Sequence, residues 1–144
     1  MQDSIRSAYA RYAPPALATV RRVFERFVPP RVVRWLAVVT TVMMFLVVLM
    51  GVTVTNTGSA RGCGGSWPLC NGKFIPDFAI STAIEFSHRA VTGLVTILVL
   101  ALSAAVLHYW RQRLEIRILV PLMIIFLIMQ ALLGALAVIF NPTP

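Results

Sequence analysis

Three uncharged apolar runs constrain this chain more than anything else in it: Trp35–Val54, Ala90–Leu107 and Ile118–Phe140. The hydrocarbon core of a bilayer takes about 20 mostly apolar residues to cross as a helix. Backbone inside lipid must satisfy its own hydrogen bonds, so each run is predicted to be helical. The apolar pattern of the second run starts from the polar residues near Thr82 and continues to Trp110. The predicted fold class is an all-α membrane protein with three transmembrane helices, TM1 over 35–54, TM2 over 82–110 and TM3 over 118–140. Composition agrees: 12% of residues are charged, where a soluble domain carries about a quarter.

The net charge is +8, and every basic residue except Lys73 is arginine. In a soluble chain such a balance would suggest nucleic acid. Here the arginines flank apolar runs, so the positive-inside rule accounts for them and no nucleic-acid partner is implied. Arg21, Arg22, Arg26, Arg31 and Arg34 place the 1–34 segment in the cytoplasm. Arg111, Arg113 and Arg117 do the same for the 111–117 connection. The 55–81 connection has few basic residues, offset by Asp77 and Glu85, and is expected outside the cell membrane. Residues 141–144 then begin a second outer loop. The first run is too long for a signal-peptide core, and more than thirty residues precede it.

In the 1–34 segment, Leu17, Val20, Val23, Phe24 and Phe27 recur at helical spacing among arginines. That pattern fits an interfacial amphipathic helix, or a solvated tail. The 55–81 loop is rich in Gly, Ser, Asn and Pro, a composition of turns. Thr82-Ala83-Ile84-Glu85 has the spacing of a capping box, which would open TM2 near residue 82. Pro121 falls in the first turn of TM3, where a missing N–H costs little. Gly134 offers a place for close helix contact.

Chemistry is concentrated at the outer end of TM2. Cys63 and Cys70 share one short loop on the oxidising side, which favours a disulfide, structural or reversible. Two cysteines without a nearby histidine do not complete a zinc sphere. If exposed and strained, such a disulfide would be labile. Glu85 and His88, spaced i,i+3, project from one face of the helix. Ionisable residues within spans are rare and functional by default, and neutral imidazole is a common haem ligand. Arg89 adjoins them and could meet a haem propionate, pair with Glu85, or snorkel to the interface. His108 lies 20 residues further on, about 30 Å along a helix, so it cannot share a metal with His88. It reads as an inner-interface residue within an aromatic cluster. Gln130 reads as a hydrogen-bonding partner for another helix.

These residues resemble the haem A synthase family. The likeness lies in the run from Val54 through Gly62-Cys63-Gly64 and Trp67-Pro68-Leu69-Cys70-Asn71-Gly72, in Glu85-Phe86-Ser87-His88-Arg89 with Gly93, and in Gln130-Ala131-Leu132-Leu133-Gly134. It covers roughly residues 35–140. The resemblance implies a membrane enzyme that oxidises the C8 methyl group of haem O to the formyl group of haem A, for aa3-type oxidases. It implies four-helix halves in which histidines of the second and fourth helices face a haem, with haem B in a second half. It assigns His88 as an iron ligand, Glu85 as the reactive carboxylate, and Cys63 and Cys70 as an outer-loop disulfide; in such a site Arg89 could contact a propionate. Membrane lipid and haem O synthase are the partners it suggests. The fourth helix and its histidine are expected beyond Pro144 or from another chain, so activity of these residues alone is not expected.

Two other functions fit the residues. A non-catalytic haem carrier for oxidase assembly would need His88 but not Glu85. A thiol–disulfide exchange protein would use Cys63 and Cys70, but a lone pair gives no relay. No flavin or nicotinamide fingerprint is present.

Overall fold

The computed structural model describes residues 25–65, 67, 69–75 and 79–140. It contains three long helices: α1, Pro30–Asn56; α2, Ile80–Trp110; and α3, Leu114–Ile139. A 3-10 turn, Ser59–Arg61, lies between α1 and α2. Each long helix has the length and apolarity to cross a membrane. This is the all-α, three-span architecture expected.

The helices have 27, 31 and 26 residues. At 1.5 Å per residue each is roughly 40 Å or longer, against a hydrocarbon core of about 30 Å. Helices α1 and α3 begin ahead of their apolar runs, at Pro30 and Leu114, whereas α2 ends at Trp110 and α3 at Ile139, close to where the apolar pattern ends. Pro30 occupies the first turn of α1, where its ring matches the helix and no donor is lost.

Two local expectations are corrected. Helix α2 begins at Ile80 with Ala79 at its N-cap and no side-chain cap, so Thr82 and Glu85 form no capping box. Helix α3 begins at Leu114, which puts Pro121 inside it rather than in its first turn. The Arg117 carbonyl therefore loses its usual helical donor. The expected amphipathic helix is represented only by residues 25–27, which are helical; the rest of it and residues 141–144 lie outside the described residues.

Helix α2 is the central element. Helix α1 packs closely along it, and α3 touches it less extensively. The buried residues at these contacts are small or β-branched: Val33 and Val54 on α1, Val95, Val99 and Ala105 on α2, Val120 and Ala135 on α3. Such side chains let helix backbones approach closely. Phe45, Leu100, Ile125 and Phe126 point outward, as they would toward lipid. Gly134 makes no close approach, since nothing lies within 4 Å of where a Cβ would stand. Gln130 is on the exposed surface of α3 and forms no hydrogen bond to another helix among the described residues.

Hydroxyls along the spans are satisfied locally. Thr40 donates to the Leu36 carbonyl at 2.7 Å and Ser103 to that of Val99 at 2.7 Å. These i−4 bonds remove a polar cost that lipid would otherwise impose. At the C-terminal end of α2, the Tyr109 hydroxyl donates to the Val28 carbonyl at 2.7 Å. There His108 Nε2 lies 3.5 Å from Glu25 Oε1. His108 thus sits at the far end of α2 from His88, as its spacing required.

Candidate functional site

The loop after α1 is built to fold back onto the start of α2. Its tip is a tight turn at Cys70–Lys73, closed by Cys70 N–H to Lys73 O at 3.1 Å and Lys73 N–H to Cys70 O at 2.9 Å. Asn71 and Gly72 both have positive φ, 52° and 74°. Those angles define a type I′ turn, for which Asn-Gly is the preferred pair. Asn71 N–H then donates to the Cys63 carbonyl at 3.1 Å. Cys63 and Cys70 are joined by a disulfide, with 0% and 1% exposure. The bond is buried, so the labile character expected of an exposed disulfide has no structural basis here.

The loop is bonded to α2 at several points. Thr82 Oγ1 donates to the Gly62 carbonyl at 2.7 Å. Glu85 is 3% exposed and accepts through Oε2 from the Cys63 backbone N–H at 2.8 Å. Its Oε1 accepts from Arg89 Nη2 at 2.5 Å. Arg89 Nη1 donates to the Leu69 carbonyl at 2.8 Å. Gly62 is required by this contact: a Cβ there would collide with the Ser81 carbonyl and reach 2.5 Å from Thr82 N. The loop backbone therefore rests directly on the first turn of α2.

His88 lies one turn beyond Glu85 on the same helix, about 12 Å from the start of α2. Its ring edge faces α1 at Gly51. A Cβ on Gly51 would stand 3.4 Å from Cε1 and 3.8 Å from Nε2. Nδ1 is buried and has no hydrogen-bond partner among the described residues. A buried ring nitrogen without a partner calls for one, and a metal-ligating histidine typically needs a partner on its second nitrogen. Among the described residues no three His, Cys, Asp or Glu side chains come together to hold a metal ion. The imidazole offers a single ligand, which suits iron already held by a porphyrin better than a bare ion.

The sequence-predicted residues Cys63, Cys70, Glu85 and Arg89 are thus gathered into one bonded cluster, with His88 beside it. Sequence reasoning missed Gly51, Gly62, Thr82 and the two backbone groups, Cys63 N–H and Leu69 C=O. The Asn71-Gly72 pair was a readable sign of the turn. Nothing local marks Gly51 or Gly62, because their role lies in another helix.

No solved structure matches this chain. Curated relatives called Heme A synthase from Bacillus cereus (strain AH187), Bacillus anthracis (strain A0248) and Bacillus thuringiensis subsp. konkukian (strain 97-27) are each 44% identical over 115 residues. The match covers 79% of this chain and 37% of each relative, so the chain spans little more than a third of their length. Residues 34–142 match the COX15-CtaA family, described as cytochrome oxidase assembly protein, and with that match over most of its length the chain belongs to this family.

Proposed function

We propose that these residues form part of the substrate site of a haem A synthase, oxidising the C8 methyl of haem O to a formyl group. The observation that carries this is the pairing on α2: His88, with a buried ring nitrogen lacking a partner, one turn from the buried carboxylate of Glu85. In this reading His88 ligates the haem iron through one ring nitrogen, and the bound haem brings the redox chemistry. Glu85 presents its carboxylate at the methyl group, where positive charge develops during oxidation. Arg89 is anchored to Leu69 and Glu85; a guanidinium has five N–H donors, so those two bonds alone do not exhaust its capacity for a propionate. A second histidine ligand would be supplied by a further helix of the protein or by another chain. Haem B belongs to a second half, and haem O synthase is the natural donor of substrate.

The same reading places the Cys63–Cys70 loop outside the cell membrane, with Arg111, Arg113 and Arg117 in the cytoplasm, as arginine distribution requires.

The test uses the full-length protein from haem-replete membranes. His88→Ala should abolish haem absorption from this site. Glu85→Gln keeps an oxygen to accept from Cys63 and should retain haem while product formation falls by about 100-fold or more, in line with loss of an electrostatic group. Unchanged formyl haem yield in Glu85→Gln would favour a haem carrier. Unchanged absorption in His88→Ala would overturn the site itself.

A further inference from the structure

Glu85 is doubly held, and both holds come from the disulfide loop or pass through it. One oxygen accepts from the backbone N–H of Cys63, a half-cystine. The other accepts from Arg89, whose second nitrogen donates to Leu69, the residue before the other half-cystine, Cys70. The two ends of the covalent ring closed by Cys63 and Cys70, which lie 7 positions apart, are therefore fastened to one carboxylate, directly at one end and through a guanidinium at the other. Cys63, Cys70 and Glu85 are all buried, so the Cys63–Glu85 bond is shielded from water, and the Arg89 bonds are partly so.

We propose that Arg89 and the Cys63 N–H are positioning groups for Glu85, and that the closed Cys63–Cys70 disulfide keeps both in register with the carboxylate. The proposal rests on the function above only in taking Glu85 as the reacting carboxylate. The physical reasoning is one of loop entropy. A glycine-rich loop that is open at the sulfurs samples many conformations, and few of them present Cys63 N–H and Leu69 C=O together. Closing the ring removes most of the alternatives. Arginine is needed because its rigid planar fork serves two acceptors at once, which a lysine ammonium on a flexible stem does not. Opening the ring needs two electrons and two protons. A small dithiol supplies both, leaving Cys63 and Cys70 as thiols and itself as a cyclic disulfide.

The test is chemical access to Glu85, read by mass spectrometry on the intact membrane protein. A water-soluble carbodiimide with an amine nucleophile converts an accessible carboxyl to an amide. In the oxidised protein Glu85 should be labelled little. After dithiol treatment labelling should rise about tenfold or more, the scale set by losing a hydrogen bond to a charged group. Cys63→Ala with Cys70→Ala makes the same comparison where dithiol does not reach the buried bond. Arg89→Gln should also raise labelling, and Arg89→Lys should fail to restore protection. Equal labelling of oxidised and opened forms, or ready labelling of the oxidised protein, would overturn the proposal. The readout needs no bound haem, so it stands apart from the His88 absorption test, and each idea can fail alone.

Discussion

At Glu85 each carboxylate oxygen has its own donor, the Cys63 N–H and the Arg89 guanidinium. A buried acid of this kind is read easily from sequence as present, but not as engaged. Its i,i+3 relation to His88 and i,i+4 relation to Arg89 are local and were legible. Its bond to a residue 22 positions earlier is tertiary and was not. His88 is the complementary case, a side chain with an open requirement at Nδ1 and a ring edge set against Gly51. That contact yields a graded prediction. Gly51→Ala adds a Cβ at 3.4 Å from Cε1, an ordinary contact, and should leave the haem spectrum of the full-length protein near that of the parent. Gly51→Val adds two further methyl groups that the ring must avoid, and should shift or broaden the haem absorption bands of the full-length protein. An unaltered spectrum in the valine variant would mean that the imidazole does not rest on α1 when ligated.

Among the elements, the apolar cores of all three helices were visible as runs of uncharged residues, because lipid permits little else. The starts of α1 and α3 were not, since both helices begin among arginines ahead of the apolar runs, whereas the end of α2 at Trp110 was read. The start of α2 shows a second reason. Thr82 and Glu85 have the spacing of a local cap, yet both side chains bond to the loop instead. A long-range partner outweighed the short-range one. The loop-to-helix seam is therefore the element most open to test. Thr82→Val removes one donor to the Gly62 carbonyl and should cost about 1 kcal/mol. Gly62→Ala forces backbone away from backbone and should cost about 3 kcal/mol. Thermal unfolding in detergent would rank them, and a harmless Gly62→Ala would show that the loop does not lie on α2.

For the whole molecule, the proposed orientation rests on the arginine distribution around the three spans and is open to a direct test. Phe74 is 83% exposed on the loop between α1 and α2, and Arg113 is exposed between α2 and α3. In intact cells an impermeant maleimide should label Phe74→Cys directly and Arg113→Cys only after the membrane is opened. The reverse result would invert the topology. The family resemblance was readable because the cysteine loop and the His88 segment sit close in sequence. The approach of the His88 ring to α1 was not, because it falls at Gly51, which carries no side chain to announce itself.

The uneven attachment of the helices has a consequence for biosynthesis. Helices α1 and α2 share a close seam and a cross-linked cap, whereas α3 packs less extensively, mainly on α2. As the nascent chain leaves the ribosome, the first pair has every contact it needs to settle, oxidise and seat the Glu85 acid before α3 has entered the bilayer. The corner that holds Glu85 and His88 would then be assembled first, and α3 would dock onto a finished template.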